Sequence, residues 1–454
     1  MQKYIYTILI CGVLFCTGAC RKYVEIAPVN TRVLEKTPDY QSLMYNTTTF
    51  DRSYYAPAFA GDDIGTDDIR WQNIQNVVPG NLYTWSAKIY GATEEDTDWR
   101  ALYEQLYLCN TIVSDVMKSK GGTEAQKQGI LSAALVHRAF IYFTLVNLYG
   151  KQYDAATAAT DPGVPLVLEP RFFTDLTRAS VQEVYSQIKA DLNQALPGLP
   201  DLPDFNSNPS KAAAYGIMAR VCLHTREFAE AERNADLTLA LKSTLIDLKT
   251  YAASPIGFPT RNLNPEEILL KKLTQVPLSF PMSADAISMF STTDLRYQLF
   301  TVDGITLFSP TFNTRAFTRN LVGNEGSFTG PNVPEMMLIK AECEARAGNA
   351  GVAVGILNDL RTKRFRTADY VALTATDATD ALHKVIDERK REFLGRGFRW
   401  FDQRRLSKDA GFVSTVTRSY RGVTYTLEPG SNKYVFPIGD KYILLNPEII
   451  QNPR

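Results

Sequence analysis

The chain has 454 residues, enough to bury a large core. Its 45% hydrophobic and 22% charged residues are the composition of a globular protein, neither disordered nor fibrous. Lysine plus arginine (49) equals aspartate plus glutamate (49), so no basic surplus marks it as a nucleic-acid binder.

The N-terminus reads as a secretory signal peptide over residues 1–19: Lys3, an apolar run over 4–15, then the small Thr17, Gly18 and Ala19. The run is too short to span a bilayer comfortably. Cys20 comes next, where a bacterial lipoprotein signal needs the cysteine that takes a diacylglyceryl group. Lipidation at Cys20 is therefore predicted, with simple secretion and cleavage nearby as the alternative. Residues 20–454 then form one domain. Cys11 and Cys16 leave with the signal peptide. Cys109, Cys222 and Cys343 are far apart in apolar helical patterns, and read as buried free thiols and not as zinc ligands.

Residues 51–98 are rich in Asp, Asn, Gly and Tyr and do not read as helix. The run from Gly61 through Asp62, Asp63, Ile64, Gly65, Thr66 and Asp67 to Asp68 has the oxygen ligands that suit calcium. It does not follow EF-hand spacing, and a polar turn with Asx-type bonds is the simpler reading. No cofactor is expected. Helical periodicity begins at 99–117, where Leu102, Leu106, Cys109, Ile112, Val113 and Val116 make an apolar stripe. A second helix over 124–149 is apolar enough to resemble a membrane span. His137 and Arg138 would each be costly in lipid, so it is predicted as a buried core helix. A further helix covers 179–196, with Ser180 as its cap. The pair 210–223 and 228–241 carries Ala212, Gly216, Ala219, Ala231 and Ala235 with the bulky Phe228, the small-residue packing of tetratricopeptide (TPR) units.

Residues 242–331 are again irregular and punctuated by proline. Long irregular stretches inside a regular frame tend to carry function. Helices return at 334–347 and 350–364, and residues 381–406 read as one long charged helix. Asp387 with Arg391, and Glu392 with Arg396, are spaced to pair along that helix. A hydrolase would use Glu388 and Glu392 as an acid–base pair, but their Arg and Lys neighbours would hold them ionised. No P-loop, HExxH, GxGxxG or nucleophile elbow stands out. His137, His224 and His383 read as satisfied structural histidines. The fold class is mainly α: TPR-like helix pairs forming an α-α superhelical scaffold, with a large loop-rich face and a few short strands.

Several segments together resemble the SusD/RagB family of nutrient-binding lipoproteins. The run from Ala139 to Gly150, with Asp161-Pro162-Gly163-Val164-Pro165-Leu166-Val167 after it, resembles its RAFxYFxLVxxYG…GxPLV stretch. Residues 211–223, with Ala219, Arg220 and Leu223, resemble a later helix of that family. So do Glu335 to Glu342 with Asn358-Asp359-Leu360-Arg361. Glu388-Arg389, Glu392, Arg399-Trp400-Phe401-Asp402 and Arg404-Arg405 resemble its ER…E…GxRWFDxxR signature, and the ending from Phe436-Pro437-Ile438 to Asn452-Pro453 is similar too. Two departures stand out. Arg396 replaces a frequent Glu before Gly397, and only Glu25 is acidic just after Cys20.

The resemblance implies a Bacteroidetes outer-membrane lipoprotein facing the cell exterior, used in polysaccharide utilisation. It would capture glycans and deliver them to a SusC-like TonB-dependent transporter. Peptide capture, as in the RagB branch, is the nearest alternative; a TPR scaffold or a polysaccharide hydrolase would be of another class. In the family the ligand surface comes from the two irregular regions. Candidate ligand residues are therefore Asp67, Asp68, Arg70, Trp71, Asn73, Tyr83 and Trp85 from the first, and Arg296, Tyr297, Arg315 and Phe317 from the second. Tyr90, Phe308, Phe312 and Arg319 belong to the same set. Aromatic rings would stack on the C–H faces of sugars while Asp, Asn and Arg bond the hydroxyls. On this reading some of Trp71, Trp85, Tyr297 and Phe317 should be exposed on one face.

Overall fold

The apolar stretch 124–149 forms the helix on which the first helices of the frame stack. The computed structural model describes residues 34–171, 175–274, 279–309, 311–318 and 326–454. The predicted signal peptide, Cys20 and Arg319 lie outside the described residues. Helix α1 (Thr97–Asp115) packs on α2 (Glu124–Tyr149), and α2 on α3 (Val181–Ala195). A capping box opens α2: Thr123 Oγ1 accepts from Gln126 N–H, and the Gln126 side chain accepts from Thr123 N–H. By length and apolarity α2 could cross a membrane, but 89% of its apolar window is buried inside the protein. Arg138 in mid-helix is neutralised there by Asp191, through two bonds of 2.7 Å.

α4 (Lys211–His224) and α5 (Phe228–Leu241) form the next pair, and α6 (Val333–Arg346) and α7 (Ala350–Arg361) the one after it. α5 packs on α6, which joins the pairs into the predicted superhelical scaffold. The small residues of α4 serve close approach: a Cβ on Gly216 would lie 3.1 Å from Pro331 and 3.5 Å from the Met336 sulfur. Cys109, Cys222 and Cys343 are buried free thiols.

Two sequence expectations need correction. Residues 381–406 are not one helix but two, α8 (Ala378–Glu392) and α9 (Phe398–Leu406). Between them Gly395 and Gly397 take φ of +66° and +76°, conformations that glycine enters without a Cβ clash. A Cβ on Gly397 would lie 2.8 Å from the Tyr54 ring, so the break is a docking point. The two irregular stretches, in turn, are not merely loops. The first holds short helices Pro57–Ala60, Ile69–Asn73 and Val77–Tyr83. The second holds an antiparallel sheet in the order β1 (Ser279–Pro281), β3 (Arg315–Thr318), β2 (Thr301–Asp303), with Phe317 opposite both Phe280 and Thr301. A hairpin, β4 (Val416–Tyr420) and β5 (Val423–Leu427), turns at Arg421 and Gly422, both with positive φ. This is the pair of left-handed residues that a two-residue type I′ turn requires.

Charge, not only apolar contact, holds the helices in register. Arg220 pairs with Glu335, which also meets Arg389; Arg389 and Arg405 share Asp402; Arg405 and Arg346 share Glu342; Arg346 and Arg226 share Asp409. Burial alone would raise the Glu342 carboxyl, but the bonded Arg405 guanidinium outweighs it and holds the group below the ordinary carboxylate range. Asp402 is held at about 2 in the same way, against burial, by Arg389 and Arg405. Glu342→Gln would leave Arg405 and Arg346 facing a neutral amide in a dry site. Removing one partner of a buried pair costs about 3–5 kcal/mol, so urea unfolding of this variant should show a loss of that order. A change below about 1 kcal/mol would contradict the role given to Glu342.

A second buried acidic pair lies at the start of α1. Asp96 accepts from Trp99 N–H, Gly439 N–H and the Tyr149 hydroxyl, and Asp98 from Ala56 N–H. Neither has a cationic partner among the described residues. Burial pushes Asp98 up to about 8, with Asp96 adding to the rise. A carboxyl whose folded pKa exceeds its unfolded one stabilises below the unfolded value, and this contribution is lost as pH rises through the folded one. The protein should therefore lose about 1–2 kcal/mol between pH 6.5 and 8.5 relative to Asp98→Asn. Thermal melts of both proteins across that range check this; parallel curves would contradict it.

Candidate functional site

Most of the predicted ligand aromatics face inward. Trp71 (2% exposed), Trp85 (1%), Tyr83 (1%) and Phe317 (6%) are core residues, as are Tyr90 and Phe312. For Tyr83 and Trp85 the inward side is organised by Arg418 on β4. Its guanidinium lies 4.2 Å from the Tyr83 ring and 4.4 Å from the Trp85 ring, and donates to the carbonyls of Phe59, Tyr83, Gly61 and Ile64. Trp85 Nε1–H donates to Ala60 O at 2.9 Å, and Trp71 packs on Tyr83. Phe317 is walled in by Met282, Ala286 and Leu394. Arg296 is buried too, in ion pairs with Asp294, Glu388 and Glu392. Tyr297 is half-buried beneath Arg315, whose guanidinium lies 3.8 Å above its ring. Trp71, Trp85 and Phe317 therefore cannot stack on a sugar, and of the four rings expected to supply exposed ones only Tyr297 keeps partial exposure.

Three polar candidates of the first region, Asp67, Arg70 and Asn73, stand differently. The short helix Ile69–Asn73 turns Trp71 and Gln72 inward and leaves Ile69, Arg70 and Asn73 exposed, with Asp67 just before it. Asp68 caps the helix at Arg70 N–H (2.9 Å), binds the Arg70 guanidinium (2.6 Å), and accepts from Asn313 N–H (2.8 Å). Hydrogen bonding to Arg70 holds the Asp68 carboxyl well below its ordinary range. This contact joins the two irregular regions. It places the helix beside the loop 304–314, whose ends are tied by Gly304 N–H to Thr314 O (3.0 Å) and Phe312 N–H to Gly304 O (3.3 Å). Phe308 on that loop is fully exposed, the one such aromatic among the described residues of both irregular regions.

On its other side the helix is held by the β4–β5 turn. Gln72 Nε2 donates to Ser419 O (2.9 Å), and Arg421 donates to Gln72 O (3.0 Å) and Gln75 O (3.4 Å). Beyond it opens a groove of about 600 Å³, lined by Tyr55, Asn76, Asn81, Glu94, Tyr420 and Arg421 among others. That size suits a short oligomer or a drug-sized molecule. Sequence reasoning missed Tyr55, Asn313, Tyr420 and Arg421. The alternation in 416–420 and 423–427 around Arg421-Gly422 was a readable hairpin signal.

The other charged and histidine side chains singled out in the sequence are held in contacts within the fold. Asp62 binds Arg399 (2.6 and 2.8 Å) and Asp63 accepts from Gly395 N–H (2.9 Å), so the acidic loop serves the fold as a polar turn. His137 contacts Lys271 and Phe50, His224 packs on Phe143, and His383 stacks on Phe412. Glu392 is held at about 2, against burial, by Arg364 and Arg296, and Glu388 is lowered against burial by Arg296, Arg391 and Arg361. The predicted helix-face pairs are thus replaced: Arg391 turns to Glu388, and Glu392 to Arg364 and Arg296. A second cleft of about 500 Å³, lined by Met289, Phe365, Val371, Asp369, Asp387 and Arg391 among others, shares no lining residue with the groove.

Comparison with known proteins gives a consistent picture. Residues 28–223 match a family described as starch-binding and associating with the outer membrane, and residues 333–454 match the SusD family. No curated protein matches the sequence significantly. Among crystal structures, a SusD superfamily protein from Bacteroides thetaiotaomicron superposes with a TM-score of 0.74 at 18% identity, covering 92% of this chain and 100% of that one. A SusD-like carbohydrate-binding protein from Bacteroides vulgatus gives 0.68 at 21% identity, covering 91% and 97%. A laminarin-binding SusD-like protein gives 0.65 at 15% identity, covering 92% and 99%. At these identities the structural likeness establishes the fold.

Proposed function

The chain belongs to the SusD/RagB family, and from that premise we propose that it is a glycan-capturing lipoprotein of the outer membrane. Proteins of this family bind their ligands and do not transform them, and two solved relatives are described as sugar- or laminarin-binding. The face where Ile69–Asn73 meets the loop 304–314 is the proposed capture surface. The observation that carries the reading is Phe308: a ring wholly in solvent, on a loop closed at both ends, beside the Asp68–Arg70–Asn313 contact. Such a ring offers a broad, stiff apolar face on which the C–H face of a sugar can stack.

Captured glycan would pass to a SusC-like TonB-dependent transporter, with Cys20 carrying the lipid that holds the protein on the outside of the membrane. The two acyl chains of a thioether-linked diacylglyceryl group, with a third on the new N-terminus, would anchor it stably, since one chain alone binds membranes only marginally.

Phe308→Ala should weaken binding of the best glycan ligand about tenfold, about 1.4 kcal/mol, and leave the melting temperature within a degree. Calorimetric titration over a panel of glycans and peptides, with melts in parallel, checks both. Unchanged glycan affinity would remove Phe308 from the site, and binding to peptides alone would overturn glycan capture. Cys20→Ser should move the protein from the membrane fraction to the soluble fraction of cells lacking the transporter; retention in the membrane fraction would contradict the lipid anchor.

A further inference from the structure

We infer that the protein holds a second ligand, a phosphate or sulfate group, in a small pocket apart from the capture face. The pocket has a volume of about 270 Å³ and is lined by Arg52, Arg261, Lys272, Asp51 and the threonines Thr47, Thr48 and Thr274, among others. It shares no lining residue with the groove or with the second cleft. The inference does not depend on the glycan-capture reading.

The backbone brings the cations together. Residues 51–54 run alongside 272–274: Lys272 N–H donates to Asp51 O (2.7 Å), Ser53 N–H to Lys272 O (2.9 Å) and Thr274 N–H to Tyr54 O (3.0 Å). Arg52 and Lys272 are partners in a parallel bridge, which puts both side chains on the same side of the paired segments. Like charges set opposite one another across such a pair repel. Both side chains line the pocket, and neither makes an ion pair or hydrogen bond among the described residues. Arg261 adds a third cation. Asp51 is the one carboxylate in the lining, and it lies 3.8 Å from Arg261. Burial raises its pKa, while Lys271, Arg261 and Lys272 all act to lower it. One buried anion is thus set against a surplus of cations. A second anion, between Arg52 and Lys272, replaces their repulsion with two attractions.

The hydroxyls suit the same ligand. Thr274 is 6% exposed, and its Oγ1 has no hydrogen-bond partner. A buried hydroxyl left unpaired is costly. The side chains of Thr47 and Thr48 make no hydrogen bond among the described residues. Guanidinium, ammonium and hydroxyl all donate, and a phosphate or sulfate ester meets them with negative charge and three strong acceptor oxygens. A neutral sugar brings no charge to set between the two cations. The volume is a little below that of pockets for drug-sized molecules, and so suits a free ion or the ester of a single sugar unit.

The test is calorimetric titration and thermal melting of the purified full-length protein at constant ionic strength, with chloride as the balancing ion. The probes are inorganic phosphate, inorganic sulfate, glucose-6-phosphate and galactose-6-sulfate, with glucose and galactose as neutral controls. Expected is saturable binding of a phosphate or sulfate probe and not of the neutral sugars, with a rise in melting temperature. In Arg52→Gln/Lys272→Gln the affinity should fall at least tenfold and the rise should vanish. Without ligand, that variant should melt no lower than the parent, because a repulsion has been removed. Thr274→Val keeps the shape without the hydroxyl and should weaken binding about threefold. An ester bound more tightly than its inorganic ion assigns the rest of the pocket to the sugar; equal binding assigns the site to the free ion. No saturable binding, an affinity unmoved in the double variant, or an equal rise in melting temperature with chloride alone would overturn the inference. Phe308→Ala should leave binding of these probes unchanged, and a loss there would move the anion onto the capture face and overturn the inference too.

Discussion

A single alternating ladder of buried charges holds the helical frame together. It runs Arg220, Glu335, Arg389, Asp402, Arg405, Glu342, then the half-buried Arg346, Asp409 and Arg226, and so starts on α4, crosses α6, α8 and α9, and returns to the turn that follows α4. Such a ladder adds little net stability over a well-packed apolar core, because each ion is desolvated to form it. Its value is registry. Apolar faces of helices slide past one another at modest cost, whereas a shift of one turn here would leave several ions unpaired in a dry interior. The same residues carry the family signature around 388–405, so that motif is the hardware that fixes how the helix pairs meet.

The proposed capture face depends on this ladder through α9. Arg405 and Asp402 fix α9, and its first turn then carries Arg399 to Asp62. Just before α9, Gly395 N–H binds Asp63 and Arg396 O accepts from the Tyr54 hydroxyl. Three contacts therefore set where the first irregular region begins. Beyond them the irregular backbone is held by arginines that form no ion pair with a carboxylate among the described residues. Arg418 gathers four carbonyls of the first irregular region, Arg404 gathers those of Asn147, Gly150 and Tyr434, and Arg178 ties Gly163 and Tyr149 to Ile450 and Asn452. Irregular backbone leaves carbonyls without ladder partners, and guanidinium, with five fixed donors, satisfies several at once. Burial lowers Arg404 and Arg178 to about 10, still charged at any physiological pH.

These two kinds of arginine explain what could be read from the sequence. The long helices were legible because their information is local: stripes at helical spacing, and caps such as Ser180, Ser210 and Thr123 at their starts. The break at Gly395 and Gly397 was not, because the residues that need those glycines, Phe317 and Tyr54, are distant in the chain. The buried state of Trp85 and Tyr83 was hidden for the same reason, since the cation between them lies more than 300 residues onward. Aromatic richness marked out the two regions and not which way a ring points. Three of the polar candidates do reach the surface. Asp67, Arg70 and Asn73 are exposed together because the five-residue helix that bears them uses Trp71 and Gln72 to bury its other side.

That helix also shows why a binding surface can be built from segments that would not fold alone. Five residues are far below the length at which a helix is stable in water. Ile69–Asn73 persists because Asn313 grips it on one flank and Ser419 and Arg421 on the other. A surface fixed in this way meets its ligand already formed, so little binding energy goes into ordering it. The residues outside the clamps, Asn73 and Asn76 among the polar ones and Ile74, Ile305 and Phe308 among the apolar, are exposed and are not part of the core. They can change without disturbing Asp68, Gln72 or Arg418 beneath them. One frame can therefore be refitted to different glycans by altering its outermost layer alone, with the ladder of charges below left as it is.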